Sequence, residues 1–154
     1  MDKPEFHFPK TLEKLKRGGP AVTLPKDAGM IIAYSGIGKN SKVIELGTGT
    51  GFMTVQLANI AKEVITYEKR KEFAELAAQN IKRVGLDNVT LKEKDVLTDF
   101  DEKDADLVFC DIAEAEKIAE KAHAALKKDG TFAAHCLNVE QAKVLVLELR
   151  KHFR

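Results

Sequence analysis

Apolar positions in this chain come in short continuous runs that alternate with longer stretches of helical spacing. Lys42–Leu46 (KVIEL), Glu63–Tyr67 (EVITY), Asn88–Lys92 (NVTLK), Ala105–Cys110 (ADLVFC) and Thr131–Cys136 each read as a short strand. Between them, Gly51–Ala61, Lys71–Val84 and Ala113–Lys127 read as helices. Phe52, Val55, Leu57 and Ala58 are the inward candidates of the first. Gly85 is the natural C-cap of the second, and Lys127, Lys128 and then Gly130 close the third. A final helix is expected over Val139–His152, with Val144, Leu145, Leu147 and Leu149 toward the core. Ahead of this series, Pro25 suits the first turn of a helix that runs to Tyr34, and Gly36 and Gly38 end it. Thr11–Arg17 is a short helix candidate, broken by Gly18-Gly19-Pro20.

Short apolar strands separated by helices imply crossover connections and a parallel sheet. The fold class expected is therefore α/β: a Rossmann-like, doubly wound parallel sheet of about five strands. Residues 1–24 are expected to form an irregular N-terminal segment and residues 25–154 one domain.

Composition narrows the class. The chain has 154 residues, 44% of them hydrophobic and 32% charged, which suits a globular domain with its own core. No apolar run approaches the ~20 residues of a membrane-spanning helix, and the sequence MDKPEFHFPK has no apolar signal core, so a cytoplasmic protein is expected. The net charge of +1 gives no strong pull toward nucleic acid or membrane. Basic residues do cluster at Lys10, Lys14, Lys16 and Arg17 and again at Arg150, Lys151 and Arg154, where they read first as solvated faces. Cys110 and Cys136 end two neighbouring strands and are expected as two buried thiols, and no Cys/His spacing resembles a zinc site.

The sharpest local feature is Glu45-Leu46-Gly47-Thr48-Gly49-Thr50-Gly51, directly after the first strand and opening a helix. Glycines there allow a tight turn and close approach of a ligand to backbone N–H groups. The G-x-G-x-G spacing departs from the dinucleotide fingerprint G-x-G-x-x-G. Glu68 ends the second strand, where a carboxylate can accept hydrogen bonds from vicinal ribose hydroxyls. Asp95, followed by Val96, lies just beyond the third strand. Carboxylates at successive strand ends mark where an open α/β sheet binds its ligand, here an adenosyl cofactor.

The loop resembles motif I of class I S-adenosylmethionine-dependent methyltransferases. From Val22 to about Leu137 the chain is similar to the family that makes N1-methyladenosine in tRNA: Thr23-Leu24-Pro25-Lys26-Asp27, VIELGTGTGFMT and VITYEKRKEFAELAAQNI carry the likeness. Motifs I and II also resemble those of protein-isoaspartate methyltransferases, whereas Pro25-Lys26-Asp27 and Asp111 favour the tRNA family. The resemblance implies S-adenosyl-L-methionine as cofactor. Glu45, Gly47, Thr48, Gly49, Thr50 and Gly51 would hold its methionine end, Glu68 and Lys69 the ribose side, and Asp95 and Val96 the adenine. It implies that Asp111 contacts the methyl acceptor, orienting it or helping remove its proton, beside a plainer role as helix N-cap. Lys26 and Asp27 would border the methionine moiety, and His135 lies near the pocket with a structural role expected.

Three departures from the tRNA family bear on substrate. Ile112-Ala113-Glu114-Ala115-Glu116 replaces a Leu-Pro-x-Pro-Trp-like run, a large N-terminal β-domain has no counterpart in residues 1–24, and five strands are expected where the family has seven. The expected function is methyl transfer to a nucleic-acid base of the tRNA adenine-N1 type. Two alternatives stand beside it: a protein or small-molecule methyltransferase, and a non-catalytic cofactor-binding subunit. The fifth strand is an open edge, to be covered by the N-terminal segment, a second copy or a partner subunit.

Overall fold

The computed structural model describes residues 7–153, so the first six positions of the N-terminal segment and Arg154 of the C-terminal basic cluster lie outside it. The short apolar runs become five strands: β1 (Lys42–Leu46), β2 (Glu63–Tyr67), β3 (Val89–Lys92), β4 (Ala105–Cys110) and β5 (Leu126–Ala134). The helices are α1 (Lys10–Glu13), α2 (Pro25–Ser35), α3 (Phe52–Ala58), α4 (Lys71–Arg83), α5 (Ala119–Ala125) and α6 (Val139–Leu149), with a 3-10 turn at Ala115–Ile118 ahead of α5.

All strand pairs are parallel, and their spatial order is β3-β2-β1-β4-β5. The chain thus builds outward from β1 in one direction and then resumes on its other side with β4. That reversal opens a crevice beyond the C-terminal ends of β1 and β4. Successive side chains of each strand pack on opposite faces. Val43, Val64, Leu107 and Phe109 meet Ala28 of α2 and Met53 and Leu57 of α3. Ile44, Leu46, Tyr67, Val108 and Cys110 meet Ile118, Ala122, Ala125 and Leu145. Burial on both faces explains why the central strands read as continuous apolar runs. Each large aliphatic side chain so buried is worth roughly 1.5–3 kcal/mol relative to exposure.

Local signals set the helix ends. Pro25 occupies the first turn of α2, and Gly36 closes that helix at φ 65°. At the end of α4, Gly85 N–H donates to the Lys82 carbonyl at 3.1 Å and Leu86 N–H to the Ile81 carbonyl at 3.4 Å. These are the two bonds of a Schellman motif. No described helix is long and apolar enough to cross a membrane.

Three expectations need correction. The helix expected over Ala113–Lys127 is shorter and begins as a 3-10 turn, and β5 starts at Leu126 rather than Thr131. Leu126 turns extended to pack into the core, and Ala105 pairs with it while Leu107 pairs with Thr131, so Lys127–Gly130 bulge outward. Lys127 then pairs with Asp106 at 3.1 Å rather than capping a helix. Second, α6 buries only one stripe: Leu145 is buried and Leu149 half-buried, whereas Val144 and Leu147 are about half exposed. Residues four apart share a helix face, so Val144 and Leu147 fall beside the stripe that meets the core. Third, β5 ends at Ala134, which leaves Cys136 beyond the strand and half-buried. Both thiols are free, and burial pushes that of Cys110 up to about 12.

Residues 8–15 of the segment before α2 pack on α3 and α4. Leu12 and Leu15 are buried with Phe52, Val55 and Ile81, and Phe8 meets the Phe52 ring edge-on at 5.9 Å. Asn80 of α4 fastens it. Its side chain accepts from Lys16 N–H at 2.9 Å, and donates to the carbonyls of Lys16 and Thr50, each at 2.8 Å.

Candidate active site

The glycine loop leaves β1 at Gly47. Its φ is 96°, and a Cβ there would lie 2.5 Å from the Asp111 carbonyl oxygen, so glycine is required twice over: by backbone conformation and by space. Gly51, at φ 85°, stands at the N-cap of α3 against Ala77. The loop is hung from β2, since the N–H groups of Gly47 and Thr48 both donate to the Tyr67 carbonyl at 3.0 Å.

Behind the loop lies a buried polar chain. Thr48 shares a 2.5 Å hydrogen bond with Thr66, and Thr66 and Thr54 donate to Glu45 Oε2 at 2.6 and 2.5 Å. Glu45 is fully buried and its Oε1 has no partner among the described residues. Burial pushes its carboxyl up to about 8, against the pull of the two threonine hydroxyls, so it is mostly neutral at pH 7. Glu45 lines none of the cavities at the crevice. Its place is behind the loop, holding Thr54 and Thr66. Thr50 is buried, with its carbonyl on Asn80.

Glu68 stands at the end of β2 with both oxygens engaged. Oε1 accepts from the backbone N–H and the Nε–H of Arg70, at 3.0 and 2.9 Å. Oε2 accepts from Gly49 N–H at 2.8 Å and from Arg70 Nη2 at 3.2 Å. Burial raises its pKa, but the hydrogen bonds from Arg70 and Gly49 outweigh that, and the carboxyl stays below its usual range. Arg70 also stacks over the Phe73 ring at 4.2 Å.

Asp95 opens the turn after β3. Its Oδ1 accepts from Leu97 N–H at 3.0 Å, and Lys69 approaches its other oxygen at 3.6 Å. Val96 is buried behind it. Asp111 follows β4, and its N–H donates to the Leu46 carbonyl at 2.8 Å, which fixes it beside the loop. Its Oδ1 meets His135 Nδ1 at 3.1 Å.

These residues border two cavities of about 270 and 280 Å³ that share Gly47, Arg70 and Asp111. The first is lined by Glu68, Lys69, Asp95, Val96 and Ile112. The second is lined by Thr23, Asp27, Gly49, Phe109 and His135. A small third cavity touches Thr48 and Thr50. The structure therefore gathers Gly47, Thr48, Gly49, Thr50, Glu68, Lys69, Asp95, Val96 and Asp111 at one crevice, whereas Glu45 and Gly51 support it from behind. Lys26 points its charge to Asp27 at 2.7 Å and is largely exposed. Tyr67 and Phe52 are core residues. Arg70 and Asn80 belong to the site and carried no sequence signal of that role: nothing in helical spacing distinguishes them from the other polar residues of their segment.

Comparison with known proteins gives the geometry a context. Residues 37–152 match the family model described as a methyltransferase domain. The tRNA (adenine(57)-N(1)/adenine(58)-N(1))-methyltransferase TrmI of Methanocaldococcus jannaschii is 35% identical over 93% of this chain and 62% of its own length. A protein-L-isoaspartate O-methyltransferase of Dictyoglomus turgidum is 46% identical, but over 36% of this chain and 26% of its own. The crystal structure of a SAM-dependent O-methyltransferase from Thermotoga maritima superposes with a TM-score of 0.86 at 33% identity, covering 93% of this chain and 56% of that one. The chain thus spans less than two thirds of the length of these relatives. With the matched residues running from the approach to β1 through α6, the chain belongs to the methyltransferase-domain family.

Proposed function

We propose that this chain binds S-adenosyl-L-methionine across the crevice and transfers its methyl group to a nucleic-acid base, of the tRNA adenine-N1 type, in the cytosol. The observation that carries the reading is Glu68, held at the end of β2 by Gly49 N–H of the glycine loop and open to the first cavity. The residues present fit the cofactor. A carboxylate offers about four lone-pair positions, and here all four are used. Two of the donors are backbone N–H groups that stay in place, and the other two belong to the Arg70 side chain. Two vicinal ribose hydroxyls can replace those two guanidinium bonds one for one. Asp95 and Val96 then border the adenine, and the loop around Gly47 and Gly49 the methionine end. In this reading the unit from Pro25 onward holds the cofactor, and the segment before it borders the acceptor cavity.

The bound cofactor supplies an electrophilic methyl group. The chain's task is to orient the acceptor in line with it, and Asp111 is placed for that because it borders both cavities. The likeness to the TrmI enzyme over most of the chain supports adenine in tRNA as the acceptor. Incubating the chain with methyl-labelled cofactor and separate pools of unmodified tRNA, isoaspartyl peptide and small metabolites tests this. Label should enter tRNA and fall roughly 100-fold or more in Asp111→Ala. Label in peptide or metabolites alone would replace the acceptor, and tight cofactor binding without any transfer would make the chain a binding subunit.

The proposal extends to assembly. β5 is the terminal strand of the sheet, and beside it Leu137, Val139, Val144 and Leu147 are exposed. An open strand edge next to apolar side chains suits a second copy or a partner subunit.

A further inference from the structure

We propose that His135, steered by Asp111, receives the proton that the methyl acceptor gives up, which makes the acceptor a neutral base bearing N–H rather than a carboxylate. This rests on the methyltransferase reading above. His135 and Asp111 follow the ends of adjacent parallel strands, and each is pinned through its backbone. His135 N–H donates to the Cys110 carbonyl at 2.9 Å, and Asp111 N–H to the Leu46 carbonyl at 2.8 Å. With both backbones fixed, the side chains meet at 3.1 Å, from Nδ1 to Oδ1. An ionised carboxylate only accepts, so the imidazole places its hydrogen on Nδ1 and leaves a lone pair on Nε2. Both side chains stay reachable, at 53% and 38% exposed, and both border the cavity that also holds Gly49 of the loop. A carboxylate that orients an imidazole beside a reacting group is the arrangement of general-base catalysis.

The chemistry then distinguishes acceptors. A carboxylate acceptor begins with a negative charge that the methyl group neutralises, so no proton has to leave. Next to Asp111, which borders the same cavity, such an anion is also repelled. A neutral adenine behaves otherwise. Its ring-nitrogen lone pair forms the new N–C bond while the C–S bond breaks and its electron pair returns to sulfur. The base is left cationic, its exocyclic N–H becomes acidic, and that proton passes to Nε2 of His135. The imidazolium so formed faces the Asp111 carboxylate.

The test has two arms. In the first, the chain is labelled with 15N-histidine, and the ring nitrogens of His135 are assigned by their loss in His135→Gln. The proposal requires the Nδ1–H form in the wild type and its loss in Asp111→Ala. An Nε2–H form in the wild type would overturn it, whether or not any acceptor is turned over. In the second arm, transfer from labelled cofactor to an unmodified tRNA transcript and to an isoaspartyl peptide is compared for wild type and His135→Ala. The expected result is a kcat on tRNA lower by roughly 100-fold, an unchanged KM for cofactor, and partial recovery on adding imidazole. An unchanged kcat, or transfer to the peptide instead of tRNA, would overturn the proposal. S-adenosylhomocysteine titrated calorimetrically into both proteins keeps the two levels apart: no binding by the wild type sinks the methyltransferase reading itself, while equal binding with equal kcat sinks only the role of His135.

Discussion

Glu45 and Glu68 are both buried glutamates within reach of the same loop, yet their environments drive them to opposite charge states. Glu68 is met by a guanidinium and two backbone N–H groups, and it stays ionised. Among the described residues Glu45 is met by two hydroxyls in a fully buried layer, and burial pushes its carboxyl up to about 8. An unfolded glutamate ionises near 4.5, so between these values the folded state binds a proton that the unfolded state has lost. Stability from this site is therefore greatest below the unfolded value and falls as pH rises through about 8. Glu45→Gln keeps an oxygen for the threonine hydroxyls and cannot ionise. Its melting temperature should drop less than that of the wild type between about pH 5 and about pH 8. An equal drop in both proteins would mean that Glu45 does not titrate in this way.

The residue types at the site were legible because their chemistry is tied to strand ends. Glycine after β1 and an acid after β2, β3 and β4 can be read once the strands are located. The inward position of Glu45 was not legible. It depends on which face of β1 a side chain takes, and on α3 placing Thr54 opposite it. Arg70 was missed for a similar reason: two residues past Glu68 it looks like an ordinary charge at a helix start, and only the folded loop shows its guanidinium closing on that carboxylate.

Among the elements, α4 connects the N-terminal segment to the glycine loop. Asn80 is fully buried and joins Lys16 to Thr50 through both ends of its amide. Truncating it leaves the buried Thr50 carbonyl and the partly buried N–H and carbonyl of Lys16 unpaired, at roughly 1–3 kcal/mol for a buried group and less for the others. Asn80→Ala should therefore lower unfolding stability in denaturant by about 2–4 kcal/mol. A loss below about 1 kcal/mol would show that the clip is not needed. Elements with strong end signals matched their expected spans closely, as in α2 with Pro25 and Gly36. The region from Ala113 to Gly130 did not. Its alanines and charges suit a helix throughout, but the core position of Leu126 draws the chain into the sheet early, and Lys127–Gly130 are left as a bulge. Tertiary packing overrode local propensity there.

At the scale of the whole molecule, function follows from one topological fact: β4 returns to the far side of β1. The crevice at that reversal brings together a loop, three strand-end acids and His135, all from separate stretches of chain. The same order leaves β5 at the rim with Val144 and Leu147 exposed nearby. Light scattering should report a dimer or larger assembly, and Leu147→Glu should shift it toward monomer. A wild-type monomer at high concentration would contradict self-association along this edge.

In the proposed complex Glu68 holds an adenosyl group in place of the Arg70 side chain. Calorimetric titration with S-adenosylhomocysteine of the wild type, Glu68→Ala and Arg70→Ala tests it most directly. The wild type should bind. Glu68→Ala should bind roughly 30-fold or more weakly, the equivalent of about 2 kcal/mol in lost charged hydrogen bonds. Arg70→Ala should bind about 2- to 5-fold more tightly, because a guanidinium that is itself half-exposed, its pairing with Glu68 worth ~0.5–1 kcal/mol, no longer competes with the ribose. Glu68→Ala binding as well as the wild type would show that Glu68 does not hold the adenosyl group.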